Sequence, residues 1–291
     1  MHSKRIIAVI SVMLIALTGC AQSPGTTEPP PSASPKVSKV PDSALVEPGF
    51  LTISTNASQP PMQYVENNKV VGMRVTLGEK IASELGLKPK VINIQFAAQI
   101  PGLSSGRWDM IDTGMYYSEK RAAELTLVPY EVSAIAVSVA KDNPLKINTL
   151  DDLAGQSIAA EQGATEYQTL EKISAELVAK GLKPIKVTGF EDTASSFQAL
   201  AAGQVQGVAA VQAVVQFYGT KSQFSTALTD ISPVAVALGF AKDNRVLADA
   251  VSDVLADLKK SGWLDNLFTE FGLRAFPGAM VPTTGAIDVQ K

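Results

Sequence analysis

From Gly49 onward the chain alternates short runs rich in Val, Ile and Met with segments whose apolar residues return every three or four positions. Phe50–Thr55, Val70–Arg74, Val91–Gln95 and Asp109–Thr113 have the first character and are predicted strands. Leu77, Ile81 and Leu85 have the second, and their helix is predicted to stop at Gly86. Strand, helix, strand in repetition calls for parallel pairing, because a helical crossover returns each strand in the same direction. A second series follows: a strand over 156–161, a helix over 167–180 with Leu170, Ile173 and Leu177 inward and Gly181 past its end, and strands over 184–188 and 206–211. Two amphipathic helices close the chain, the first carrying Val246, Leu247, Ala250, Val251, Val254, Leu255 and Leu258 on one face, the second Trp263, Leu264, Leu267 and Phe268.

Two such series imply two α/β lobes. Val137–Asn143 and Leu238–Asn244 share an apolar run followed by Ala-Lys-Asp-Asn, read as two long strands that carry the chain out near Ile135 and back near Pro233. Two crossovers make a hinge with a cleft between the lobes.

The N-terminus is of another kind. Lys4 and Arg5 precede an apolar run from Ile6 to Leu17, which at a helical rise of about 1.5 Å per residue is too short for a bilayer. It reads as the hydrophobic part of a signal peptide over 1–19. Its end, Leu17-Thr18-Gly19-Cys20, is similar to a bacterial lipobox, which makes Cys20 the predicted lipidation site and places the protein outside the cell membrane or in the periplasm. Residues 21–48 are rich in Pro, Ser and Thr and are predicted to be a flexible tether.

Composition then removes whole classes of chemistry. Of 291 residues, His2 is the only histidine and Cys20 the only cysteine, so a mature chain without the leader has no Ser-His-Asp triad, Cys-His nucleophile, His/Cys zinc site or disulfide. A formal charge of -3 lacks the basic excess of a nucleic-acid binder. Binding, carboxylate or lysine chemistry and an all-oxygen metal site remain open by composition; no residues are assigned to a metal and no cofactor is expected.

Two strand-to-helix junctions point to binding. In Gly163-Ala164-Thr165, Thr165 is predicted to cap the following helix with Gln168 three residues on, leaving amides of the first turn free to meet a carboxylate. In Gly114-Met115-Tyr116-Tyr117-Ser118, Ser118 is predicted to cap a short helix that carries Arg121. Open α/β sheets bind ligands at these carboxyl ends of strands. One such junction per lobe, with an arginine beside one, fits a carboxylate-bearing ligand held from both sides, with Arg121 as its bidentate partner.

The run Ile100-Pro101-Gly102-Leu103-Ser104-Ser105-Gly106-Arg107-Trp108-Asp109-Met110-Ile111, together with Gly114–Arg121, Thr149–Gly155, Gly163-Ala164-Thr165 and the closing Gly262-Trp263 and Phe271-Gly272, resembles the family 3 extracellular solute-binding proteins of amino-acid ABC transporters. The resemblance spans about Gly49 to Leu273. It implies a type II periplasmic-binding-protein fold, with lobe 1 over 49–135 and 234–275, lobe 2 over 136–233 and a tail over 276–291. It also implies a receptor, not an enzyme, that closes on an amino acid or related carboxylate and delivers it to a membrane permease as a lipid-anchored monomer. By this resemblance Arg121 binds the ligand carboxylate, Thr165 and the Gly114–Tyr116 segment contact it from the two lobes, and Phe96 stands near an aromatic wall position.

The chain departs from the family where the ligand's ammonium is usually met. Val211, with Gln212 beside it, stands in place of the usual aspartate, Tyr116 in place of a serine or threonine, and Arg74 in place of an acidic residue. Asn56 and Gln59 occupy positions often acidic and aromatic. Glu161, Glu191 or Asp192 must then supply the missing charge, or the ligand is not an ordinary α-amino acid. Tyr64, Tyr116, Tyr117, Tyr130 and Phe96 are candidates to stack on a planar or cationic group. Whether Arg74 or Lys69 lines the cleft is open. The alternatives are a dehydratase-like enzyme using Glu161 or Glu191, and a sensory lipoprotein without transport.

Overall fold

The computed structural model describes residues 38–283 and Ile287, so Cys20 and the leader lie outside the described residues. Lobe 1 opens with β1 (Phe50–Thr55), a small antiparallel sheet of β2 (Ser58–Gln59), β3 (Gln63–Glu66) and β4 (Lys69–Val71), then α1 (Met73–Leu85), β5 (Lys88–Asn93), α2 (Phe96–Ser104), β6 (Met110–Ile111) and α3 (Glu119–Glu124). The long strand β7 (Leu125–Ala140) leads into β8 (Ser157–Glu161), α4 (Thr165–Ala179), β9 (Lys186–Phe190), α5 (Thr193–Ala201), β10 (Gly207–Val211) and α6 (Gln212–Gly219). The second long strand, β11 (Phe224–Ala241), returns to α7 (Arg245–Lys260), α8 (Trp263–Glu270) and β12 (Arg274–Ala275).

One sheet runs through both lobes in the order β5-β1-β6-β11-β7-β10-β8-β9, with β12 also on β7. β5, β1 and β6 are parallel on one side, as are β10, β8 and β9 on the other. Between them β7 and β11 pair antiparallel over nearly their whole length. The Leu125–Ser133 half of β7 lies in the first lobe, and Ile135–Val139 pairs with β10 of the second. The register of β11 slips between Thr226 and Val234, where Asp230 and Ser232 have positive φ.

The helical periodicities act as the residues require. Leu77, Ile81 and Leu85 of α1 are fully buried, and Gly86 ends the helix in a left-handed conformation. On α7 the buried stripe runs through Leu247, Val251, Val254, Leu255 and Leu258, whereas Val246 at its first turn faces solvent. A second core cluster forms where the Trp108 ring lies on Gly102, so close that any Cβ there would run into the ring. The chain after α2 can fold Trp108 back onto the helix only with glycine at position 102.

Three expectations need correction. Val70–Arg74 is not one strand: β4 stops at Val71, Gly72 turns with φ +120°, and Arg74 is already in α1. Of Asp109–Thr113 only Met110 and Ile111 pair as strand, because the Asp109 carboxylate is committed to the backbone N–H groups of Val46 and Thr52, both at 2.7 Å. That clamp also moves the start of the fold. Residues 38–48 are not tether: Val40 is buried and the Lys39 N–H donates to the Leu85 carbonyl at 2.9 Å. At the other end, Phe276 and Met280 are buried and Thr283 bridges to Leu127, so the tail to that point is docked.

Candidate functional site

Each half of the sheet ends its parallel strands at the same cleft. From the first lobe, β6 runs out through Asp112 and Thr113 into Gly114 (φ +74°), and the chain then turns so that Ser118 accepts from the Arg121 N–H and starts α3. This turn swings the Arg121 side chain back over its own loop. Its Nη1 donates to the Tyr116 carbonyl at 2.7 Å and, across the cleft, to Thr165 Oγ1 at 3.2 Å. The Phe96 ring, at the start of α2, lies 5.3 Å from the guanidinium, a cation–π distance.

From the second lobe, β8 ends at Glu161 and α4 begins at Thr165. The helix cap is Ala164, not Thr165, whose hydroxyl is turned toward Arg121. Glu161 is 4% exposed and reaches the first lobe: Asn56 Nδ2 donates to its Oε1 and Gln59 Nε2 to its Oε2 at 3.3 Å. Thr193, next to the Asp192 cap of α5, donates to the same Oε2 at 3.1 Å. Glu166, one residue into α4, is 7% exposed and faces the same space.

Gln59, Phe96, Gly114, Tyr116, Arg121, Glu161, Thr165 and Val211 thus line one cleft, and Asn56 joins them through Glu161. Their side chains leave about 10 Å³ free, roughly the room of one water, so a solute enters only if the lobes part. Larger hollows of about 390 and 400 Å³ lie away from these strand ends, and neither sets a buried cation against buried carboxylates.

Gln212 is not in the cleft. It follows Val211, and successive side chains at the end of a strand point to opposite faces; its Oε1 accepts from the Asp230 N–H on the far side of the sheet. Glu191 is exposed and Asp192 caps α5 by accepting from Ser195 N–H, so of the three acids weighed as counter-charge only Glu161 lies in the cleft. Among the aromatics, Phe96 and Tyr116 reach the cleft, and Tyr116 turns its hydroxyl away to the Ala134 carbonyl. Tyr117 packs in the second core cluster, Tyr64 sits in β3 and Lys69 is exposed in the adjoining hairpin.

Arg74 lies beneath the cleft floor, wholly buried. It donates to Glu131 at 2.9 Å, to the Tyr130 hydroxyl at 3.0 Å and to Gln63 at 3.0 Å, with Asp112 3.8 Å away. A Cβ on Gly114 would meet its guanidinium carbon at 3.0 Å. Gln63 carries the network upward, donating to the Thr113 carbonyl and to Gln59. Sequence reasoning missed Gln63, Thr193 and Glu166; an acidic residue in a first helical turn is an ordinary response to the helix dipole and carried no distinct signal.

The ionisation follows from burial. Burial, and then the Glu166 charge, push Glu161 up to about 8 against the hydrogen bonds from Thr193 and Gln59. Burial also raises Glu166, opposed by its own backbone N–H and by Arg121, and lowers Arg121, opposed by Glu166. Below, burial raises Asp112 to about 7 against Arg74. For Arg74 burial works downward, and the acidic groups Glu131 and Asp112 together with the Tyr130 hydroxyl that accepts from it outweigh that, so it stays protonated.

Two lobes joined by a pair of crossover strands, with binding groups converging from the carboxyl ends of strands in both, define a periplasmic-binding-protein fold. The chain belongs to the bacterial extracellular solute-binding proteins, family 3, whose model matches residues 51–274. It is similar to ABC transporter arginine-binding protein 1 of Escherichia coli (strain K12), 25% identical over 219 residues that cover 73% of this chain and 86% of that one. It is also similar to the probable amino-acid-binding protein YxeM of Bacillus subtilis (strain 168), 26% identical over 226 residues, 76% of this chain and 83% of that one. Among solved structures, an ancestral arginine-binding protein bound to arginine superposes with a TM-score of 0.70 at 28% identity, covering 77% of this chain and 98% of its own. Among the described residues no helix is long and apolar enough to cross a membrane, and no cluster of His, Cys, Asp and Glu could hold a metal.

Proposed function

We propose that this protein is the solute receptor of an ABC importer, exported, held at the membrane by lipid on Cys20, and acting as a monomer that closes on an amino acid or amino-acid-like carboxylate and passes it to a permease. The observation that carries the reading is Arg121: a buried cation at the end of a strand in one lobe, facing Thr165 and the start of α4 in the other. Carboxylates are met well by such a pair, a guanidinium opposite a hydroxyl at the start of a helix. The amino-acid- and arginine-binding relatives support the same ligand class.

Closure is the working step. We take 49–135 with 234–275 as one lobe and 136–233 as the other, moving about the rung where Ser133 of β7 faces Val234 of β11. The slipped register and positive-φ residues just beyond it give β11 the irregular backbone that a hinge uses. A ligand that touches both lobes only when they meet shifts the population toward the closed form.

We read the cleft as binding without turnover. Glu161 has the raised affinity for protons that an acid catalyst needs, yet both its oxygens are held by the donors Asn56, Gln59 and Thr193 and none of them is a base. The test is a thermal-shift screen of the protein, refolded to strip carried-over ligand, against the proteinogenic amino acids and simple carboxylates. A ligand at a hundred times its Kd adds about 2.7 kcal/mol. Arg121→Ala should abolish the shift; a retained shift would mean that the arginine is structural and the reading wrong.

A further inference from the structure

Glu161 is placed unlike any other acid of the cleft. It is carried by the second lobe, its hydrogen-bond partners Asn56 and Gln59 belong to the first, and it is buried where the two meet. The charged groups that face it are Glu166 on α4 and Asp192 at the start of α5, both acidic. From the first lobe it meets only amides, and Val211 at the end of β10 is apolar. Arg121 is the one cation among the described residues lining the cleft; it favours the charged form of Glu166 from a distance and is ion-paired with neither acid. Glu166 is further served by its own backbone N–H at the start of the helix. Glu161 has neutral donors alone, with Oε1 taking one bond, from Asn56, and keeping its second lone pair.

Burying a carboxylate beside a second one without a cation is unfavourable, however many neutral donors surround it. When the lobes part, Glu161 returns to water and that penalty disappears. We propose, building on the receptor reading, that Glu161 makes closure of the cleft conditional on a cation: the ammonium group of the ligand, or failing that a proton, must answer its charge before the closed form can hold. Arg121 then reads the carboxylate of an amino acid and Glu161 its ammonium, so a carboxylate without an ammonium is bound by one lobe and does not close the other. The charge missing at Val211 is supplied from the end of β8.

The proton linkage has a definite sign. In the closed form Glu161 holds a proton up to about pH 8, whereas in the open, solvated form it has the affinity of an ordinary carboxyl group. Lower pH therefore favours closure of the protein alone, and the effect is lost as pH rises through about 8. Glu166 titrates in the same direction, which makes Glu166→Gln the necessary control. Asp112 stays sealed inside the first lobe in both forms.

The experiment places spin labels at Val65→Cys and Val178→Cys, exposed sites on the two lobes, in the full chain with Cys20→Ser, and reads the distance between them from pH 5 to 8. The same protein is titrated with the twenty proteinogenic L-amino acids and with the Nα-acetyl form of whichever binds most tightly. The expected result is an open distance at pH 8 that shortens toward pH 5 without added solute, shortening at pH 8 on adding the amino acid, and no shortening with its acetylated form. Glu161→Gln should close at pH 8 unaided, and its preference for the free ammonium should fall by tenfold or more. Glu166→Gln should keep the pH response. A distance in the wild-type protein that does not change with pH, with equal closure by both probes, would overturn the inference and leave the receptor reading standing. So would a pH response lost in Glu166→Gln and kept in Glu161→Gln. If none of the twenty amino acids binds but a carboxylate without an ammonium does, this inference is overturned and the receptor reading stands; if no carboxylate of either kind binds, both fail.

Discussion

Arg74 and Arg121 lie on either side of the same loop, Thr113–Tyr116, and have been put to opposite uses. Arg74 is sealed beneath it, 1% exposed, with Glu131 in contact, Asp112 close by and its donors spent on Tyr130 and Gln63. Arg121 lies above it, 9% exposed, and its hydrogen bonds go to a carbonyl and a hydroxyl, with no carboxylate within ion-pair distance. The first arginine is saturated by its own protein and fixes the loop. The second is left to recognise something that arrives. What separates structure from function here is whether a charge has been matched internally, since both residues are buried and both border the site.

Breaking the lower arginine should have the largest effect. Arg74→Met leaves Glu131 and Asp112 buried without their cation, and losing one partner of a buried pair costs roughly 3–5 kcal/mol; denaturant unfolding should show most of the stability gone. Arg121→Ala should instead leave the unfolding midpoint nearly in place and weaken ligand binding on the order of a hundredfold or more, the usual scale for truncating a buried charged contact. If calorimetry found the two variants alike in both respects, the distinction between matched and available charge would collapse.

A finer test uses pH. The folded protein keeps protons on Asp112 up to about 7 and on Glu161 up to about 8, protons that the unfolded chain releases in the ordinary carboxylate range. Stability from these two groups is therefore complete at low pH and lost as pH rises through 7 and 8. Asp112→Asn should flatten the lower part of that decline in unfolding experiments between pH 5 and 8. Gly114→Ala should cost roughly 1 kcal/mol or somewhat more, because the backbone has positive φ and the new methyl meets the Arg74 guanidinium; thermal unfolding would read it. Gln212→Ala should change affinity least of all, less than about twofold, since its side chain serves the Asp230 loop on the other face.

The alternation of strands and helices was legible because apolar spacing is a local property, and α1, α4 and α7 fall where Leu77, Leu170 and Val251 put them. Ser118 was legible as a cap for the same reason. The site was legible as far as strand ends announce it, hence Arg121, Gly114 and Thr165. What could not be read was pairing across the chain. Whether Thr165 caps its helix or turns to Arg121, 44 residues away, is decided by the partner. Arg74 looked like a departure in a binding motif, and only the fold reveals that Glu131 and Asp112 were waiting for it. Asp109, read as part of a strand, reaches back to Val46 and so decides where the fold begins.

The second lobe is one uninterrupted stretch of chain, entered and left through a single antiparallel rung, Ser133 opposite Val234. Its two ends are thus about 5 Å apart, the separation of neighbouring strands. Both the Val40 end and the Phe276 end of the described chain are docked on the other lobe. A single crossover of genetic material at each end of this stretch would exchange half the cleft at once, moving Glu161, Thr165, Glu166 and Thr193 together while Arg121 and its sealed foundation stayed behind. Selectivity in such a protein can be inherited as a cassette, with Arg121 and its foundation as the constant part and the facing wall of Glu161 and Thr165 as the replaceable one.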